Sequence, residues 1–213
     1  MKIKWLGHAS FLITSDTGTR IITDPYETND RIRYGKINEA ADIVTVSHGH
    51  SDHNNVAAVR GNPEVVKGTT EAKGIMVKGI PVHHDDVGGS QRGNNTIFCF
   101  EADGIRICHL GDLGHSLSSA QISELGSVDV LLIPVGGFFT IDASTAGQLA
   151  DQLKPRIIIP MHYKTDKCGL PIAPLEGFLQ GKNNVNRLDS SELEVKPGGL
   201  PASTQIMVLK PAL

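Results

Sequence analysis

At 213 residues the chain is long enough to bury one large core, and one domain spanning residues 1–213 is the simplest expectation. Lys and Arg number 20 against 23 Asp and Glu, leaving a net charge of −3 and no Lys/Arg run, so neither nucleic acid nor a membrane surface is expected as a partner. Cys99, Cys108 and Cys168 are odd in number and lack C-x-x-C spacing, no apolar run nears the ~18 residues of a membrane helix, and Phe11-Leu12-Ile13 is too short for a signal peptide; together these speak against a disulfide framework and for a reducing cytoplasm.

Lys2 to Leu6 reads as a strand, Gly7-His8-Ala9-Ser10 as a turn and Phe11 to Thr14 as a second strand. Asp16-Thr17-Gly18 signals a hairpin into Arg20-Ile21-Ile22-Thr23, and the proline of Asp24-Pro25 stops that ladder. Residues 27–40 are polar and read as a surface loop, a candidate wall of a substrate cleft. Asp42 to Val46 is short, apolar and β-branched, as a buried strand should be. It runs into Ser47-His48-Gly49-His50-Ser51-Asp52-His53, where three histidines and one aspartate fall within His48–His53. Imidazole nitrogens and carboxylate oxygens packed this tightly suit zinc, iron or manganese without any thiolate. His48 and His50 can turn to one centre, and Asp52 and His53 can reach a second.

Val56 to Val59 can start a short helix, Glu64-Val65-Val66 is a strand and Thr69 to Lys73 reads as a helical turn. Gly79 to Val82 approaches His83-His84-Asp85-Asp86. Adjacent side chains on a strand point to opposite faces, so one of the two histidines can face a metal; Ile80 and Val82 share a face with His84, which favours His84 over His83. Residues 88–95 form a turn-rich loop whose one cation, Arg92, can meet an anionic substrate group or stay solvated. Thr96 to Glu101 and Ile105 to His109 flank the hairpin signal Asp103-Gly104, and the second strand ends in Leu110-Gly111-Asp112. His109 reads as a packed histidine beside that end, and His115 has no assigned role. Ser118 to Leu125 is a capped helix, Asp129 to Ile133 a buried strand, and Asp142 to Leu153 a helix stopped by Pro155. Arg156 to Ile159 is another buried strand, delivering His162 after Pro160-Met161. Residues 166–190 are loop-rich with a weak helix at 174–180; Leu193 to Val195 and Gln205 to Leu209 are final strands. Strands followed by helices in two halves fit two packed sheets with helices outside.

The run H-G-H-S-D-H resembles the H-x-H-x-D-H motif of the metallo-β-lactamase superfamily, and the likeness continues through Asp24, His84, Gly111-Asp112 and Pro160-Met161-His162-Tyr163. Its details, including G-H-x-S around His8 and the order H-D then R-G-N from His84 to Asn94, resemble short cytoplasmic hydrolases related to ascorbate-6-phosphate lactonase. The resemblance implies an α/β fold, a four-layer αββα sandwich of two mixed sheets with helices outside, and a two-metal site on one edge. One metal would take His48, His50 and His84; the other Asp52, His53 and His162; Asp112 would bridge them. Asp24 would orient ligand histidines from behind, as an alternative to a plain turn aspartate. His8 would line the entrance, touching substrate like Arg92, or else hydrogen-bond within the core.

The expected activity is that of a hydrolase acting on a lactone, ester or phosphoester. A water bridging the two divalent ions would be the nucleophile, with Asp52 and Asp112 as its carboxylate ligands. Zinc is the first expectation, with manganese, iron or nickel as alternatives. The partner would be a small molecule, anionic if Arg92 engages it, and a homo-oligomer is compatible with this reading. A mononuclear iron sulfur dioxygenase and a metal-binding module without catalysis are the alternatives. The diiron oxidoreductase branch has Glu where this chain has His50, and no matched ligand position is missing.

Overall fold

The computed structural model describes residues 1–213. Its strands, in chain order, are β1 (Lys2–Gly7), β2 (Ser10–Thr14), β3 (Arg20–Thr23), β4 (Ile43–Thr45), β5 (Glu64–Val66), β6 (Thr70–Ala72), β7 (Ile75–His83), β8 (Asn94–Ala102), β9 (Ile105–His109), β10 (Val130–Pro134), β11 (Ile157–Met161), β12 (Val185–Arg187), β13 (Glu192–Glu194) and β14 (Gln205–Val208). The α-helices are α1 (Ser119–Leu125), α2 (Ala143–Leu153) and α3 (Glu176–Leu179), none long and apolar enough to cross a membrane. Six strands form one sheet, ordered β13-β1-β2-β3-β4-β5, and eight form the other, ordered β12-β14-β11-β10-β9-β8-β7-β6. Both are mixed, so the expected two-sheet sandwich is what the chain builds.

The period-two pattern of the first sheet sorts its side chains onto two faces. Ile3, Trp5, Phe11, Ile13, Ile21 and Ile43 belong to the main core with the second sheet. Their neighbours Leu6, Leu12, Ile22 and Val44 point the other way, into a smaller cluster. The one helical element on that outer face is the single 3-10 turn Val56–Ala58, the short helix expected there, whose Val56 and Ala58 pack against it. Tyr26 covers the face together with Ile32, Tyr34 and Ile37, the last three from the segment expected to be a polar surface loop. The Tyr26 hydroxyl donates to the carbonyls of Leu6 and Gly35, tying the cover to the sheet. Residues 27–40 are a surface loop as expected, anchored by buried Ile32, Tyr34 and Ile37, but the cleft-wall expectation is corrected: none of them lines the cavity beside the histidine cluster.

Strand direction sets where the strand ends fall. β1 and β3 both run antiparallel to β2, and β4 runs parallel to β3, so these three end on the same edge. In the second sheet β9, β10 and β11 are parallel, and β7 shares their direction because both β7 and β9 are antiparallel to β8. Hydrogen bonds join the two edges: Thr96 N–H to Ser47 O (2.9 Å) and His162 N–H to His8 O (3.2 Å).

Three local expectations change. Thr69 to Lys73 is not a helical turn; Thr70–Ala72 is a strand paired with β7. Lys73 and Gly74 both have positive φ, 49° and 77°, the requirement of the tight hairpin that joins them. The 166–190 segment contains an extra short strand, β12, which is parallel to β14 and therefore invisible as a hairpin. Cys99 and Cys108, read as unpaired, are joined in a disulfide: they lie directly opposite each other on β8 and β9, in a register fixed by the expected Asp103-Gly104 turn. Cys168 alone is free, and it is buried. A thiol reagent added to the chain unfolded without reductant should therefore titrate one thiol per chain; three would show the Cys99–Cys108 pair to be reduced.

Candidate metal centre

The strand ends gathered at that edge carry the side chains singled out in the sequence. β1 leads to His8, β3 to Asp24, β4 to the His48–His53 run, β7 to His84, β9 to Asp112 and β11 to His162. His8, Asp24 and His162 leave their strands with φ of 50°, 39° and 52°. Left-handed backbone of this kind costs a non-glycine residue about 1–3 kcal/mol, and it clusters where function constrains a turn. Gly111, with φ 54°, precedes Asp112; a Cβ there would come within 2.6 Å of the Ser47 Cβ, so no larger residue fits without displacing the neighbouring sheet.

Two groups of donors result. Ligand atoms of His48, His50 and His84 lie within 4.8 Å of one another, and so do those of His8, Asp52, His53 and His162. Asp112 stands between the groups. Its Oδ2 is 3.2 Å from His84 Nε2 and 3.3 Å from His162 Nε2, and its Oδ1 is 3.3 Å from His53 Nε2. His48 Nε2 faces His50 Nδ1 at 3.0 Å, with His50 exposed at the rim.

Hydrogen bonds behind the donors fix which ring nitrogen is free. His53 Nδ1–H donates to Asp24 Oδ2 (2.9 Å), which also accepts from the Ser47 hydroxyl, while Asp24 Oδ1 accepts from Ser47 N–H (2.8 Å). Because the Ser47 hydroxyl hydrogen is committed to Asp24, its oxygen accepts from His48 Nδ1–H (2.9 Å). Both His48 and His53 are thereby left with Nε2 facing inward. His109 instead holds the turn before Asp112, donating from Nε2 to Ala9 O (2.8 Å) and accepting Gly111 N–H at Nδ1 (3.2 Å). Asn95 completes that turn, donating to Leu110 O (2.9 Å) and accepting Asp112 N–H (3.0 Å).

Protonation follows the same arrangement. Burial, reinforced by neighbouring His53, pushes His48 down to about 3, and burial with His162 nearby takes His8 down to about 4. Burial raises Asp112, but His162 and His53 beside it outweigh that and hold its carboxyl well below the usual range. Burial lowers His53, yet Asp112, Asp24 and Asp52 around it hold it well above an ordinary histidine. His53 Nε2 and Asp112 Oδ1 are buried without a hydrogen-bond partner. The ionised Asp112 and the neutral His48 are donors a divalent cation takes directly, and at His53 a cation would take the place of the proton that the surrounding carboxylates attract, so the residues fit such an ion.

The remaining predicted residues sort by position. A cavity of about 250 Å³ opens over the centre, lined by His50, Asp52, His84, Asp112, His162, Arg92, Phe139 and Leu170. Arg92 reaches it. His8 does not: it is fully buried, its Nε2 is 3.2 Å from Asp52 Oδ2, and its ring lies 4.2 Å from that of His162. Of the two readings left open for His8, the structure shows the hydrogen bond within the core, to Asp52, and not a place at the entrance. His83 belongs to neither donor group nor the cavity lining: its ring lies beside that of His115, centroids 5.7 Å apart, and its backbone N–H donates to His115 Nε2 (3.1 Å). Sequence reading missed Ser47 and Asn95. It also missed Asp85, whose carboxylate accepts four backbone N–H groups from the 87–92 loop. An aspartate ahead of a glycine-rich turn was the available signal.

Comparison with known proteins identifies similar chains and folds. Residues 2–162 match the family model described as the beta-lactamase superfamily domain. A UPF0173 metal-dependent hydrolase from Thermococcus onnurineus is 31% identical, the match covering 78% of this chain and 85% of the relative. The crystal structure of a candidate Zn-dependent hydrolase of the metallo-β-lactamase superfamily from Thermotoga maritima is 38% identical, covers 98% of this chain and 97% of its own, and superposes with a TM-score of 0.80. A metallo hydrolase from Ignicoccus hospitalis shares the fold at 23% identity, with a TM-score of 0.64 over 99% of this chain and 95% of its own.

Replacing Asp24 by Asn keeps the volume but removes the charge and turns one of the two oxygens that hold His53 and Ser47 into a donor. Metal affinity in a chelator competition should fall about 10–100-fold with the fold intact by circular dichroism. Unaltered affinity would reduce Asp24 to a turn residue.

Proposed function

The chain belongs to the metallo-β-lactamase superfamily, among its metal-dependent hydrolases, and on that premise we propose that it uses two divalent metal ions to hydrolyse a small lactone, ester or phosphoester. Asp112 carries the reading, because imidazole nitrogens of both donor groups face its one carboxylate. His48, His50 and His84 would hold one ion, and Asp52, His53 and His162 the other, with Asp112 shared. Zinc suits these nitrogen and oxygen donors, as do manganese, iron and nickel. Bound there, such ions bring the pKa of a coordinated water towards neutrality and polarise the carbonyl or phosphoryl group under attack.

The chain's own residues prepare that chemistry. Asp24 and Ser47 keep Nε2 of His48 and His53 aimed into the centre. His8 holds Asp52, and Asn95 and His109 hold the turn that presents Asp112. Phe139 and Leu170 form an apolar wall that limits water on the substrate side. No side chain competes as a covalent nucleophile: the Ser47 hydroxyl is engaged by Asp24, and Cys168 is buried away from the cavity lining.

The test is metal analysis of the purified chain followed by hydrolysis assays on lactones, phosphodiesters and thioesters. Two ions per chain and turnover of one of these classes are expected. Asp112→Ala should abolish turnover and lower bound metal, since neither donor group stays complete without it. A variant that retains both ions with near-normal kcat would end the shared role of Asp112. Oxygen consumption by an iron-loaded chain that hydrolyses none of the panel would replace this reading with a dioxygenase.

A further inference from the structure

Asp85 follows the donor His84 directly and is buried, 2% exposed. Its Oδ1 accepts the N–H groups of Val87 (3.0 Å) and Gly89 (2.7 Å), and its Oδ2 those of Gln91 (2.9 Å) and Arg92 (2.7 Å). Two further bonds close the loop, Gly93 N–H to Gly89 O (2.9 Å) and His84 N–H to Gly93 O (3.0 Å). Gly89 sits at φ 82°, and a Cβ there would press on His83 and on the Gly93 carbonyl. The last residue held by Asp85 is Arg92, the one permanent cation lining the cavity. Its guanidinium lies 5.6 Å from the centroid of the Phe139 ring and forms no ion pair with any carboxylate of the chain. A solvated arginine needs no such anchorage.

We propose that residues 85–93 form an anion-recognition arm, in which Asp85 fixes the backbone so that Arg92 receives an oxyanion group of the substrate, a carboxylate or a phosphate, away from the bond being cleaved. Guanidinium presents paired N–H donors that match either group, and the Phe139 ring supports one of its faces while leaving the edges free. The cavity of about 250 Å³ limits what is held to a small molecule. Arg92 is a binding residue and Asp85 the residue that positions it. The kinetic consequence rests on the hydrolase reading above; the binding consequence does not.

Two measurements separate them. In calorimetry with the zinc-loaded chain, acetate reports binding at the centre alone, while succinate and phosphonoacetate add a second charged group. Wild type should bind at least one of these dianions about 10–100-fold more tightly than acetate, the value of a charged hydrogen-bonded pair. Which one gains identifies the carboxylate or the phosphate. Arg92→Ala should erase that preference, Arg92→Lys should restore part of it, and Asp85→Asn should weaken it with metal content preserved. In kinetics, p-nitrophenyl acetate and mono-p-nitrophenyl succinate form a matched pair. Arg92→Ala should lower the charged-to-neutral ratio of kcat/KM through KM. A wild type that binds both dianions no better than acetate overturns the proposal, as does a ratio that Arg92→Ala leaves in place. Dianion preference in a chain that cleaves no lactone, ester, phosphoester or thioester would keep the arm and remove the hydrolase reading. Ester cleavage without the preference would do the reverse.

Discussion

Asp112 is a fully ionised carboxylate buried among imidazoles, and much of the structure follows from making that tenable. A lone buried carboxylate would protonate instead. Here His162, His84 and His53 surround it, each with Nε2 within about 3.3 Å. Those rings are themselves buried and repel one another when charged, so protons alone satisfy the cluster poorly. A divalent cation would satisfy it better: it would supply the positive charge that the carboxylates require without protonating the imidazoles. His53 shows the competition most clearly. It lies between Asp24 and Asp112, and its raised pKa measures how strongly that position attracts positive charge.

The fold meets this demand through strand direction. β1, β3 and β4 end on one sheet where β7, β9 and β11 end on the other, so residues distant in sequence arrive at one edge without long side chains. Sharp left-handed exits at His8, Asp24 and His162 then aim side chains that would otherwise continue along their strands. Those exits are unfavourable in isolation. They persist because neighbours hold them: the carbonyl of His8 accepts both the Trp5 indole N–H (3.0 Å) and the backbone N–H of His162 (3.2 Å). A single carbonyl thus locks two of the exits and links the two sheets.

The same topology explains what the sequence could disclose. His48 to His53 is legible because its donors are neighbours in the chain after a recognisable strand. Asp112 and His162 are legible because each follows an apolar run that must end at a sheet edge. Asn95 was not, because β8 runs the other way and brings its beginning to that edge. Ser47 looked like punctuation, since its role depends on Asp24 arriving from another strand. His8 was open between entrance and core; which side of Asp52 it occupies is set by the packing of one sheet on the other. The cover of the first sheet was misjudged for a related reason. Apolar residues in an irregular loop follow no period, so nothing local marks Tyr26, Ile32, Tyr34 and Ile37 as buried.

The centre and the cavity above it are therefore built from different material. The candidate metal donors lie on or just beyond strand ends, held by sheet hydrogen bonds and left-handed turns, and the fold that carries them is shared by a structure of only 23% identity. Arg92, Phe139 and Leu170 stand on connecting segments outside the strands. Segments of that kind can change length and composition without disturbing the core, so they can change the substrate while the metal chemistry stays the same. Asp85 is where the two systems join. It is bonded through the chain to His84 and through four hydrogen bonds to the arm, so whatever orders His84 also orders the base of Arg92.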